Sequence, residues 1–204
     1  MSTSPAISTS PALTLGSYRR TITSIALVLI ILVFALSSAR RAVWVDLYDF
    51  FLWMETTWFG VIGKTWGAAF AVVEAFHLLA MALLGGAVFV ADFRLLGWSF
   101  LDVPAQEVLD KAHKVFLVGL IVVLSTGIFM ACGVAGKLYW LPVFWYKMLA
   151  LTTGILFVFF IKRPLLNRDL DEIKPRVVKL VAVASLLVWI TVAATGRWIG
   201  FAGS

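Results

Sequence analysis

Long runs of apolar residues alternate with short polar segments along most of the chain. Four runs are nearly free of charge and come close to the ~20 residues with which a helix crosses a bilayer. They are Thr21–Ala39, Val115–Cys132, Val143–Ile161 and Leu180–Thr195. A fifth run, Trp66–Ala91, is longer and is interrupted by Glu74 and His77. The pattern predicts five transmembrane helices.

The segments between these runs divide the chain into four parts. They are a Ser/Pro-rich tail (1–18), a first span (19–41), an amphipathic segment at the outer membrane surface (42–65) and a membrane core (66–200). The predicted fold class is an all-α integral membrane protein with a four-helix antiparallel core and one peripheral N-terminal span. Arg19 and Arg20 before an apolar run that ends in small residues also resemble a signal peptide. We favour a retained span.

Composition excludes several classes of protein. Of the 204 residues, 62% are hydrophobic and 14% are charged, against about 45–50% and about 25% in a typical soluble domain. So little polar surface argues against a soluble enzyme and against a disordered tail. The net charge of +6 is interpreted as a sign of membrane topology rather than of nucleic-acid binding.

The basic residues predict an orientation. Six of the 17 Lys and Arg residues lie on one side of the predicted membrane: Arg40, Arg41, Lys64, Lys137, Lys147 and Arg197. The remaining eleven lie on the other side, which is therefore expected to be cytoplasmic. The N-terminus is then in the cytoplasm and the C-terminus is outside.

The second span carries the candidate chemistry. Glu74, His77 and Met81 follow one another at helical spacing and share one face. Ionisable groups inside a membrane are costly and are usually functional or paired. We expect this face to point into the bundle, where Glu74, His77, Lys147 and Arg197 form a buried polar network.

A metal or haem site is the alternative interpretation of this region. Thioether and thiolate ligands favour copper, so the candidate metal ligands are Glu74, His77, Met81 and Cys132. For haem b, the candidate ligands are His77, Met81 and Met130. His113 is not expected to share an iron with His77, because it lies near the opposite membrane surface. The sequence does not identify a cofactor. Haem b and copper are the two that these candidate ligands could bind.

Two charged segments are interpreted as membrane-edge features. Asp92 and Arg94 follow the second span and are interpreted as helix-end anchors. The segment Lys162–Lys179 is interpreted as a cytoplasmic loop that touches anionic headgroups.

The second span also carries a family resemblance. The stretch from Glu74 to Gly86, closing in Asp92–Gly97, with Lys147 and Gly196–Ile199, resembles an uncharacterised family of small bacterial inner-membrane proteins. The histidine followed by small residues and two glycines is faintly similar to copper-resistance D and cytochrome-b-like four-helix membrane proteins. The resemblance implies a multi-pass protein of the bacterial inner membrane.

Three functions remain open. The first is a membrane subunit or accessory protein, without catalysis of its own, whose buried polar site holds haem b or copper for electron transfer. The second is a structural subunit of a larger membrane complex. The third is a small copper or proton-coupled transporter with Glu74 as its titrating group. The expected partners are lipid and other membrane subunits, and no nucleic acid.

Overall fold

The computed structural model describes residues 33, 39–167 and 173–202, with the backbone alone for 39–43. Throughout this part the regular structure is helical. The elements are α1 (Ala39–Thr56), α2 (Trp58–Thr65), α3 (Gly67–Leu96), α4 (Ala105–Gly133), α5 (Ala135–Tyr139), α6 (Pro142–Phe157), a π-helical turn (Val158–Lys162), α7 (Arg163–Leu166) and α8 (Pro175–Ala202). The chain divides into two compact units, Met1–Leu47 and Tyr48–Ser204, and the candidate site lies in the second.

Four helical segments are long and apolar enough to cross a membrane. They are Gly67–Leu96, Ala105–Gly133, Pro142–Leu166 and Pro175–Ala202. They support the predicted all-helical, multi-pass membrane protein. The predicted first span, Thr21–Ala39, lies almost entirely outside the described residues, so the count of five stays a prediction.

Local sequence explains where several helices begin and end. The Thr57 hydroxyl accepts a hydrogen bond from the Gly60 N–H at 3.3 Å and so caps the start of α2. Helix α3 ends at Gly97, whose φ of 81° lets its N–H and that of Trp98 bond back to the carbonyls of the last turn. Pro142 opens α6, where its missing N–H leaves no intrahelical bond unmade.

Helices α3 and α4 pack closely because α4 has a glycine, without a side chain, at the point of contact. A Cβ added at Gly119 would lie 3.1 Å from the Leu84 Cβ, so the backbone of α4 approaches α3 directly. Around this contact Leu84, Phe116, Leu120 and Trp189 form a buried apolar layer. This layer separates the two polar ends of the bundle.

The two ends are named by their buried polar residues. The His77 end contains the N-terminus of α3 and the C-terminus of α4, and the Asp92 end contains the opposite termini. His77 and Asp92 are fifteen positions apart in one helix, which corresponds to about 22 Å along its axis.

Candidate functional site

His77 is held in a defined orientation by α4. Only 6% of its surface is exposed, and its Nδ1 lies 2.8 Å from the Thr126 Oγ1. The Thr126 hydroxyl is 2.6 Å from the Val122 carbonyl and donates its hydrogen there. Because a hydroxyl has a single hydrogen, Thr126 accepts the bond from the His77 Nδ1–H. This assignment leaves the Nε2 of His77 as the nitrogen with a lone pair.

The other members of the predicted polar network are dispersed. Lys147 is half-buried, close enough to His77 for an electrostatic interaction, and its side chain lies against Gly196. Glu74 is exposed on the surface of the bundle, and so is Arg197, which lies 4.7 Å from the centre of the Phe201 ring. In the described part of the chain, Glu74 forms no ion pair with either cation.

The sulfur-containing candidates differ in their burial. Met81 and Met130 are half-buried, and Cys132 is buried. Across residues 39–167 and 173–202, no three His, Cys, Asp or Glu side chains are grouped so that they could hold a metal ion. Copper or haem at His77, Met81, Met130 and Cys132 therefore stays a prediction.

An exposed ion pair lies beyond His77, where α1, α2 and α5 meet. The Glu55 carboxylate accepts hydrogen bonds from the Lys64 ammonium and, at 2.7 Å, from the Gly136 N–H. The bond from Lys64 is the main reason that the pKa of Glu55 lies below its usual value, although partial burial opposes it. Through these two bonds, Glu55 of α1 is joined to α2 and to α5.

The Asp92 end of the bundle buries a second ion pair, between α3 and the π-helical turn. The Lys162 Nζ lies 2.5 Å from the Asp92 Oδ1 and 3.0 Å from the Ser185 Oγ of α8. The side chains of Asp92 and Lys162 are 0% and 8% exposed, and Ser185 is fully buried. Within the described residues the second carboxylate oxygen of Asp92, Oδ2, is buried without a hydrogen-bond partner.

A small cavity adjoins this ion pair on the α4 side. Its volume is about 40 Å³, and its polar lining side chains are His113, Lys162 and Arg163. The Arg163 Nη1 is 2.8 Å from the Asp110 Oδ1 and thereby connects α7 to α4. The centroid of the His113 ring lies 6.2 Å from that of Phe116 and 6.3 Å from that of Phe159.

These positions correct two interpretations of the sequence. Asp92 is an interior residue rather than a helix-end anchor, because its side chain is fully buried and pairs with Lys162 inside the bundle. Lys162 does not begin a loop, because helical structure continues to Leu166. Arg94 does lie near the helix end, where its Nη2 donates to the Val103 carbonyl at 3.0 Å.

A signal for Asp92 was present in the sequence. Leu84, Val88 and Asp92 recur every four residues, so the carboxyl group continues the buried stripe of α3. The comparable signal for Lys162 is weak, because it directly follows the apolar run of the fourth predicted span. Its burial depends on the π-helical turn, which no spacing in the sequence indicated.

Comparison with known protein families shows the family to which the chain belongs. The model of a family of unknown function, DUF6644, matches residues 50–202. The chain belongs to this family. The match includes all four membrane-spanning segments and both polar ends. No curated protein and no solved structure matches the chain.

Proposed function

We propose that this member of the family is a proton-translocating membrane carrier whose titrating groups are Asp92 and Lys162. The observation that carries the proposal is the burial of this ion pair inside a bundle of membrane-spanning helices. A buried ion pair contributes little net stability compared with apolar residues of similar volume. Ionisable residues inside membrane helices commonly mark the pathways of ions and protons.

The contacts of the pair suggest how a proton is held and passed on. A proton that moves from the Lys162 Nζ to the Asp92 Oδ1 leaves two neutral groups, which are less costly in a membrane than either ion alone. Ser185 can accept from the charged lysine or donate to the neutral amine. The free Oδ2 of Asp92 offers a second acceptor for an incoming proton.

The apolar layer around Leu84 and Phe116 closes the route from Asp92 towards His77. Translocation therefore requires a movement of the helices. The π-helical turn that ends at Lys162 is a suitable place, because such turns often occur at functional sites and allow a shift of helical register. In this proposal Lys162 exchanges its proton as α6 and α7 move.

Proton flux into proteoliposomes with an entrapped pH indicator tests the proposal. With an acidic exterior, equal chloride concentrations on both sides and the membrane potential clamped at zero, wild-type protein should acidify the lumen faster than empty liposomes do. Asp92→Asn should abolish the flux, and Ser185→Ala, which keeps both ionisable groups, should slow it. Glu107→Gln is the control, since that carboxylate pairs with Lys111 on the surface. A wild-type rate equal to that of empty liposomes, or full flux in a folded Asp92→Asn variant, would contradict the proposal.

A cofactor-binding accessory subunit is the second candidate, and the orientation of His77 favours it. Metal-bound histidines usually donate their other ring N–H to a fixed acceptor, as His77 Nδ1 does to Thr126. Haem b or copper would then bind at Nε2 and supply one-electron chemistry. A visible spectrum and a metal analysis of the purified protein test this candidate. The absence of both a Soret band and bound copper would count against it.

We also propose a placement in the bacterial inner membrane. The distribution of the 17 Lys and Arg residues supports a cytoplasmic N-terminus and an external C-terminus. In this orientation the Asp92 end faces the cytoplasm. Accessibility of single cysteines introduced at Trp98 and Trp140 to a membrane-impermeant reagent tests the assignment, because only the residue outside the cell should be labelled in intact cells.

A further inference from the structure

We infer that the cavity beside Lys162 binds a small monovalent anion of halide size. The transport consequence, that the anion crosses the membrane together with a proton, rests on the proposed proton-carrier function. Binding itself does not rest on it, because the cavity and its donors are features of the folded bundle. The two statements can therefore fail separately.

The polar lining of the cavity consists of hydrogen-bond donors. Lys162 and Arg163 carry positive charge, His113 becomes cationic when both ring nitrogens are protonated, and the remaining lining side chains are apolar. The carboxylates that neutralise the two cations, Asp92 and Asp110, do not contribute to the lining. An anion in this cavity therefore meets donors without meeting a carboxylate.

Donor hydrogens are still available after the internal contacts are made. An ammonium group has three N–H donors, and Lys162 directs two of them to Asp92 and Ser185. The guanidinium of Arg163 has five, of which one bonds to Asp110. The ring of His113 lies near the Phe116 and Phe159 rings and lines the same cavity as the two cations.

The charge balance explains why a proton would accompany the anion. The two ion pairs leave the surroundings of the cavity neutral, so an anion that enters alone would bring an uncompensated charge into the bundle, which is costly. Protonation of His113 restores neutrality. The charged groups that act on His113 come from its own helix and from the segment after α6; they are Asp110, Lys162 and Arg163.

The volume of the cavity limits the ligand. About 10–15 Å³ accommodates one water molecule, so a cavity of about 40 Å³ admits a few waters or one halide ion. A divalent anion such as sulfate would leave one charge uncompensated even with His113 protonated. We therefore expect chloride and bromide to bind and sulfate to be excluded.

The line width of the chloride NMR signal tests the inference with purified wild-type protein in detergent. Exchange with the site should broaden the signal, bromide should reverse the broadening, and sulfate at equal ionic strength should not. The broadening should be stronger at acidic than at neutral pH, because the anion is expected to bind together with a proton on His113. No broadening beyond that of protein-free detergent, or equal reversal by sulfate, would overturn the inference.

Two variants locate the site. Loss of a charge-assisted donor in Arg163→Gln should weaken chloride binding about tenfold or more, and His113→Phe should remove the dependence on pH. Lys111→Met is the matched control, because it removes an exposed cation from α4 that does not line the cavity. Broadening that is the same in wild type, Arg163→Gln and His113→Phe would also overturn the inference.

The same preparations separate the two proposals. Chloride binding without proton flux in proteoliposomes would contradict the proton carrier and leave the anion site intact. Proton flux with no chloride binding would contradict the anion site and leave the carrier intact. If both are correct, an outward gradient of chloride should slow inward proton flux in the wild type and should have no such effect in a variant without binding.

Discussion

The two ends of the bundle treat ionisable residues in opposite ways. At the Asp92 end, a carboxylate and an ammonium are buried, and three elements supply their contacts. At the His77 end, the imidazole is buried with the Thr126 hydroxyl as its partner, whereas Glu74, Lys64 and Arg197 are exposed. Among the described residues, charged side chains are buried only at the Asp92 end, where the two opposite charges and a hydroxyl group are buried together.

This difference follows from the cost of desolvation. An ion without a partner in a low-dielectric interior loses several kcal/mol of hydration, which only good geometry and further hydrogen bonds offset. The Asp92 end meets this requirement because α3, α8 and the π-helical turn converge there. At the His77 end a neutral histidine is bonded to one hydroxyl group, Lys147 is only half-buried, and the other charged groups stay at the surface.

The largest expected effect comes from removing one partner of the buried pair. Lys162→Met leaves Asp92 buried without its counter-charge and should destabilise the protein by about 3–5 kcal/mol. The double variant Asp92→Leu/Lys162→Met should recover much of this loss, because it leaves no buried ion. Thermal unfolding in detergent measures both, and Lys111→Met is the surface control. A single variant no less stable than the double variant would contradict the account of the buried pair.

A smaller loss is expected from Ser185, the neutral member of the same cluster. Ser185→Ala removes a hydrogen bond to a charged group and should cost about 1.5–3 kcal/mol. Ser125→Ala is the matched control, because that serine is exposed and bonds to the Ile121 carbonyl of its own helix. Chemical unfolding compares the two variants. Equal losses would mean that Ser185 contributes no more than a helix-surface hydroxyl.

The difference between the two ends of the bundle also shows which features of the fold the amino-acid sequence could predict. Apolar run length predicted the four core spans, because a membrane span must satisfy its backbone within one helix and the pattern is local. The face of a helix that meets its neighbours is set by non-local packing. Glu74, His77 and Met81 share one face by spacing, yet of the three only His77 is buried. Helical spacing alone did not show which residues of that face are buried and which lie at its exposed edge.

The candidate site at the Asp92 end was misinterpreted for a related reason. Polar residues at the ends of apolar runs are usually solvated or anchored at headgroups, and that rule was applied to Asp92 and Lys162. It failed because the helix beginning at Pro142 continues through a π-helical turn to Leu166. The extra length carries Lys162 into contact with residues 70 and 23 positions away in the sequence. Such long-range pairing has no local signal.

At the His77 end we expect a modest effect from the single neutral hydrogen bond. Thr126→Val keeps the shape of the side chain, removes the acceptor of His77 Nδ1–H, and should cost about 1 kcal/mol. Thr153→Val is the control, since that exposed hydroxyl bonds to the Leu149 carbonyl of its own helix. Thermal unfolding measures the difference between the variants. A loss as large as that of Lys162→Met would show that the two ends do not differ in the way described.

The smallest effect is expected from the exposed pair at the His77 end, and pH reveals it. The pKa of Glu55 is lowered in the folded protein, mainly by the hydrogen bond from Lys64. Its contribution to stability is therefore complete above the usual glutamate pKa of about 4.3 and is lost as the pH falls through the lower, folded-state value. Because the side chain of Lys64 is 46% exposed, we expect a contribution below about 1 kcal/mol.

Glu55→Gln should reduce the loss of stability on acidification by this amount, because glutamine keeps an acceptor for Gly136 and does not titrate. Glu107→Gln should change the pH dependence less, since its pair with Lys111 lies within one turn of α4 and is more exposed. Unfolding midpoints of the three proteins, measured from neutral pH downwards, give the comparison. Parallel curves for wild type and Glu55→Gln would mean that the Glu55–Lys64 pair stabilises nothing, and that all measurable charge pairing in the described bundle lies at the Asp92 end.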